Sequence, residues 1–179
     1  MLNLVGSYLY LYNEKDRFSS PPPRLEHTAI PEAGLQRGAR LTVKDGDELG
    51  AGTVTWLSQA SMDPKLVMVG LRCDSRIHAL VEKTGRFTIS VLATGQKEIA
   101  GRFFKAGEME NGRLNGCDIE EGPHGDPLLV DAPAWFQAEV RGTVREGDHT
   151  VVVGEVVEAG CRYEAEPLTL AETGWTYGG

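Results

Sequence analysis

Apolar positions recur along the chain at two spacings, and each change of spacing marks a predicted element. Leu41-Thr42-Val43 predicts a short strand ending at Lys44-Asp45-Gly46-Asp47, where Asp-Gly favours a tight hairpin turn. Thr53 to Ser58 is rich in β-formers, and Leu66 to Leu71 is a continuous apolar run of strand length. From Ser75 the period changes. Ile77, Leu80, Val81 and Thr84 fall at i, i+3, i+4 and i+7, so a short amphipathic helix is predicted, with Asp74 or Ser75 as N-cap and Gly85 closing it. Phe87, Ile89 and Val91 then alternate with Arg86, Thr88 and Ser90 as a half-buried strand. Gln96 to Lys105 reads as a second helix with Ile99 and Phe103 on one face, and residues 106–127 as a long Gly-rich, acidic loop. The clearest pair comes last: Phe136, Ala138, Val140, Gly142 and Val144 alternate with polar partners, Glu146-Gly147-Asp148 turns the chain, and His149 to Glu158 returns as a Val-rich strand.

Many strands, few short helices and hairpin turns indicate a mainly β fold, a small closed or nearly closed barrel with helical insertions. Residues 13–39 sustain neither period and include Ser19-Ser20-Pro21-Pro22-Pro23, so residues 1–39 read as a tail and regular structure is expected from near Arg40. At 179 residues the chain suits one core.

The net charge of -8 argues against a nucleic-acid or anionic-membrane surface, both of which need a basic footprint. It is unevenly spread. Residues 1–64 hold 6 basic and 8 acidic side chains, residues 65–105 hold 8 and 3, and residues 106–179 hold 4 and 15, giving -2, +5 and -11. The positive middle is either solvated helix faces or the seat of a small anion. Cys73, Cys117 and Cys161 are too few and too separated for a disulfide framework, which favours a reducing cytoplasm. No run approaches the length of a membrane span, and the first residues lack the pattern of a signal peptide.

The chain has no GxGxxG after a strand, no P-loop, no HExxH and no GxSxG, so Rossmann, P-loop, zincin and α/β-hydrolase chemistries lose their main support. His27 in the tail and His124 in the Gly/Pro loop show no metal-ligand spacing with another residue. Two constellations remain. Thr53, Thr55, Trp56, Ser58, Gln59 and Ser61 crowd hydroxyls and an amide at a strand end and the following loop, which suits either an ordinary ST-turn or the polar edge of a phosphate or heterocycle. Arg72-Cys73-Asp74-Ser75-Arg76 stands where a strand hands over to a helix, either as a capped helix with solvated arginines or as an anion site at a helix N-terminus. His149 opens the last strand directly after Asp148, and His78 is expected on the solvent flank of its helix.

Five blocks in order, TVTWLSQASMDPKLVMVGLRCDSRIHALVEKTGRFTISVL, GQKEIAGRFFK, DAPAWFQAEV, GDHTVVVGEVVEAG and the closing GWTYGG, resemble the flavin reductase-like family of FMN-binding split barrels over residues 40–179. The resemblance implies a homodimeric split β-barrel that holds FMN, with FAD possible, in a groove at the dimer interface. It also implies NADH or NADPH as hydride donor and a partner monooxygenase as one outlet for reduced flavin. Matched residue by residue, Thr53, Thr55, Trp56, Ser58, Gln59 and Ser61 meet the flavin ring and ribityl chain, Ser75 and Arg76 the phosphate, and Phe103 the flavin from its helix. His149 matches the histidine beside the isoalloxazine and nicotinamide. An apolar first strand is usual in the family; Gln36-Arg37-Gly38-Ala39-Arg40-Leu41 is polar, so that strand is expected to be short or irregular. The alternative is a non-catalytic or electron-carrier FMN protein reduced by a protein partner.

Overall fold

A computed structural model of the protein describes residues 38–175. The predicted tail lies outside the described residues apart from Gly38 and Ala39, as do residues 176–179 of the closing block. The elements in order are β1 (Ala39–Asp45), β2 (Glu48–Val54), β3 (Leu57–Met62), β4 (Lys65–Arg72), α1 (Arg76–Thr84), β5 (Arg86–Val91), α2 (Lys97–Arg102), β6 (Met109–Glu110), β7 (Arg113–Leu114), β8 (Cys117–Glu121), β9 (Pro127–Leu129), β10 (Ala134–Arg145), β11 (His149–Cys161) and α3 (Leu170–Thr173).

Seven strands form one antiparallel sheet in the order β2-β1-β5-β10-β11-β4-β3. Its two edge strands, β2 and β3, are joined by Thr55 and Trp56 alone. A two-residue link cannot cross a flat seven-stranded sheet, whose neighbouring strands lie about 4.8 Å apart, so the sheet must roll until its edges meet at that end. Among the described residues no ladder joins β2 to β3, which leaves the barrel split along this seam. The predicted run Thr53 to Ser58 is therefore broken in the middle, and the break is what closes the barrel.

Leu41, Val43, Val67, Val69, Phe87, Ile89, Phe136 and Val152 fill the barrel, and α1 adds Leu80 and Val81 to the same cluster. The helix forms where the sequence pattern placed it. Ser75 caps it through a bond from His78 N to Ser75 Oγ at 3.1 Å, and Gly85 ends it at φ 68°, a left-handed position that glycine takes without a Cβ clash.

A second cluster lies on the outer face of β1, β2 and β5, where Ala51, Leu92, Ala100, Phe103, Leu114 and Leu129 pack under α2 and the segment after it. This outer layer accounts for three departures from the sequence pattern. Thr88 and Ser90 are fully buried, because Thr88 Oγ1 donates to Asp126 Oδ2 at 3.0 Å and Ser90 Oγ accepts from Leu129 N at 3.3 Å. Across the predicted loop and just past its end, β6 to β9 form a four-stranded sheet of very short strands. The first strand, expected short, has seven residues and pairs with both β2 and β5, with Arg40 buried on its outer face.

Candidate functional site

A groove of about 810 Å³ opens where β2, the β4–α1 corner, the residues after α2 and Trp175 converge. Bare glycines on β2 let α1 lie close to the strand: a Cβ on Gly52 would sit 2.6 Å from Ile77 Cδ1, and one on Gly50 would sit 3.3 Å from Ile77 Cα. Ala51, Ile77 and Phe103 give the groove apolar walls, while Thr53, Thr55, Ser75 and Arg76 bring polar groups to it. Five of the sequence-predicted residues, Thr53, Thr55, Ser75, Arg76 and Phe103, thus share one concavity although 50 positions separate the first from the last.

Their hydrogen bonds decide what each can offer a ligand. Thr53 Oγ1 donates to Ala100 O at 3.0 Å, tying β2 to α2 and leaving its oxygen lone pairs to accept. Ser75 Oγ accepts from His78 N and donates to Arg72 O at 2.8 Å, so its hydroxyl hydrogen is spent within the chain. Arg72 closes a two-pronged pair on Asp74 through Nε at 3.0 Å and Nη2 at 2.7 Å, which holds the Asp74 carboxyl below its ordinary range. What the corner presents to an anion is therefore the Arg76 guanidinium and the N–H groups of the first turn of α1 that lack an intrahelical partner, at the positive end of the helix.

Beside the groove, Trp56 packs on His149 with ring centroids 4.6 Å apart and planes inclined at 45°. The register explains the meeting. His149 pairs with Arg72 across β11 and β4, Gly70 lies two residues before Arg72 on β4, opposite Val151, and Trp56 rests on Gly70, where a Cβ would fall 2.8 Å from Trp56 Cε3. His149 Nδ1 lies 3.0 Å from Asp148 Oδ1, and this bond lowers the pKa of the exposed Asp148.

Ser58, Gln59 and Ser61 lie apart from the groove, along edge strand β3. Ser58 Oγ donates to Gln59 O at 3.3 Å, and Gln59 Nε2 donates to Ser61 O at 3.5 Å. His78, expected in solvent, is buried: its Nε2 lies 2.7 Å from Thr150 Oγ1, a partner on β11 that no helical pattern reveals.

Sequence reasoning missed two features of the site. Arg40 is fully buried, donates to Ala39 O and Ile99 O at 3.2 Å each, and stacks its guanidinium 4.5 Å from the Phe103 ring centroid. Burial lowers its pKa to about 9. An arginine in a β-strand among buried neighbours was the available signal. Phe104, Lys105 and Trp175 also line the groove, and here only the position of Phe104 and Lys105 directly after Phe103 was visible in the sequence.

The family model for the flavin reductase like domain matches residues 39–178. The chain is 34% identical over 137 residues to the NADH-dependent flavin reductase StyB of Pseudomonas fluorescens, covering 69% of this chain and 78% of that protein. It is 30% identical over 127 residues to HsaB, the reductase subunit of a flavin-dependent monooxygenase of Rhodococcus jostii, covering 71% of this chain and 63% of that one. Two further relatives are longer, and the chain spans 32% and 22% of them. Among solved structures, BorF, the flavin reductase component of a bacterial two-component tryptophan halogenase, superposes with a TM-score of 0.68 at 26% identity, covering 78% of this chain and 88% of that one. With a split barrel, a groove lined by the matched blocks and a family match over most of its length, the chain belongs to the flavin reductase like domain family.

Proposed function

We propose that this protein is an NAD(P)H-dependent flavin reductase that binds FMN, with FAD also accepted, in the groove between β2 and α1. The observation that carries this is the composition of the groove. Apolar walls from Ala51, Ile77 and Phe103, neutral acceptors at Thr53 and Thr55 and a cation at Arg76 meet in one concavity, matching in kind a flat heterocycle, a polyol chain and a phosphate. Bound flavin supplies the acceptor for a hydride from the nicotinamide. The chain's own task is orientation: Thr53 and Thr55 receive hydroxyl groups, Arg76 and the first turn of α1 hold the phosphate, and His149, braced by Trp56 and Asp148, positions the nicotinamide. Such a task needs no acid–base triad.

A homodimer is part of the proposal. On the outer face of β3, β4, β11 and β10, Met68 pairs with Val153 and Val144 with Val151, and Met68, Val151 and Val144 are exposed beside Ser58 and Trp56. A second copy seated there would cover this apolar face and give Ser58, Gln59 and Ser61 a role at a shared groove. Names borne by the relatives support NADH as donor, with NADPH within the same proposal, and a partner monooxygenase as recipient of reduced flavin; three scattered cysteines suit a cytoplasmic setting. Among the described residues no helix is long and apolar enough to cross a membrane.

The experiment is direct. Purified protein mixed with FMN and NADH, and separately with NADPH, is followed by loss of nicotinamide absorbance; consumption no faster than in protein-free controls for both donors refutes the assignment. Light scattering on the wild type and on Met68→Glu tests the dimer: a dimer that becomes monomeric is expected, and a wild-type monomer contradicts it.

A further inference from the structure

The outer end of the groove carries an aromatic pair that the flavin assignment leaves without a task. Phe104 is 63% exposed, an unusual place for a phenylalanine, and it meets Trp175 edge-on with ring centroids 4.6 Å apart at 65°. Lys97 Nζ stands 5.5 Å from the Trp175 ring centroid. Lys105 follows Phe104 in the same lining and makes no hydrogen bond or ion pair with any described residue. Exposed aromatic faces flanked by lysines complement a ligand that is itself a flat base joined to phosphate, because stacking and charge are satisfied together.

From this juxtaposition we infer that Phe104 and Trp175, with Lys97 and Lys105, form a subsite for an adenylate group, the AMP half of a dinucleotide. The inference rests on the flavin reductase reading, since the adenylate belongs either to FAD, whose second phosphate and base would extend past the phosphate at Arg76, or to the nicotinamide dinucleotide. Lys105 takes the phosphate and Phe104 the base. FMN ends before this subsite, so the pair separates FAD from FMN if FAD is the source.

The test measures dissociation constants for FMN, FAD and AMP alone, and the KM for NADH with FMN as acceptor, in wild type, Phe104→Ala, Phe104→Trp and Lys105→Ala. In Phe104→Ala the affinity for FAD relative to FMN is expected to fall about 5- to 150-fold, the weight of one base–aromatic stack, and to return in Phe104→Trp. AMP binding should weaken in parallel and, in Lys105→Ala, lose part of its salt dependence. An unchanged FAD-to-FMN ratio with a raised KM for NADH assigns the adenylate to the nicotinamide dinucleotide and keeps the subsite. An unchanged ratio, unchanged AMP affinity and unchanged KM overturn the inference and leave the aromatic pair to a protein partner. AMP bound by a wild type that binds no flavin would sink the flavin reading while sparing the subsite.

Discussion

At the β4–α1 corner, Arg76 and Ser75 have adjacent places in the chain and separable tasks. Arg76 is exposed, pairs with no described residue and lines the groove, whereas the neighbouring Arg72 guanidinium is held by Asp74. Arg76→Ala therefore removes one charge-assisted phosphate contact, worth about 1.5 to 3 kcal/mol, which is about 10- to 150-fold in the FMN dissociation constant. Riboflavin, which has no phosphate, should lose nothing. Ser75→Ala acts differently, because its hydroxyl accepts from His78 N and donates to Arg72 O. Losing that cap costs about 0.5 to 2 kcal/mol of stability, with FMN affinity changed only as far as the first turn frays. Fluorescence-quenching titrations with both flavins, at low and high salt, read the affinities, and urea denaturation of each variant reads the stability. Equal losses for FMN and riboflavin in Arg76→Ala, or none for either, would move the phosphate away from this corner. A Ser75→Ala variant of undiminished stability with FMN affinity as poor as that of Arg76→Ala would make the hydroxyl a direct ligand.

Three further outcomes are expected. His149→Ala should slow flavin reduction by up to about 10²-fold with FMN still bound, since it removes a positioning ring from beside Trp56; stopped-flow reduction and equilibrium binding read the two effects, and equal losses would make the residue structural. Gly154→Ala should destabilise the barrel by about 1 to 3 kcal/mol in chemical denaturation, because the new Cβ would lie 2.8 Å from Phe87 Cε1 and 3.0 Å from Ala138 Cβ; an unchanged midpoint would show that the core yields freely. Asp126 is buried and its pKa is raised chiefly by burial, so the folded state keeps a proton that the unfolded chain has released. Its contribution to stability must then decline as pH rises from its ordinary value of 3.8 through the raised one, and the advantage of wild type over Asp126→Asn should shrink over that range; an advantage that grows with pH would mean that the bonds from Lys44 N and Thr88 Oγ1 outweigh burial.

Elements held by local chemistry were legible in the sequence. The i, i+3, i+4, i+7 pattern with Gly85 gave α1, Asp45-Gly46 gave the first hairpin, and the period-2 runs around Glu146-Gly147-Asp148 gave β10 and β11. Long-range partners escaped it. His78 looks solvent-facing on its own helix and is buried only because β11 brings Thr150 to it. Strands β6 to β9 run two to five residues, too short for any period to register. Arg40 reads as a polar interruption, and its burial follows from α2 folding over it so that Ile99 O can accept its guanidinium. The groove shows the same division. Residue types that meet a phosphate and a ring could be picked out, but the spending of Ser75's hydrogen on Arg72 O, the pairing of Arg72 with Asp74 and the arrival of Trp175 from the end of the described chain are tertiary facts.

The central claim is that this chain passes a hydride from a reduced nicotinamide to a flavin held in the β2–α1 groove. Anaerobic rapid mixing of the FMN-loaded protein with NADH, and in parallel with NADPH, observes that transfer without any partner or oxidant. Bleaching of the visible flavin band, faster than for free FMN with the same donor and slowed in His149→Ala, is the predicted result. FMN that binds tightly yet stays oxidised with both donors would contradict it and point to a flavoprotein reduced by a protein partner instead.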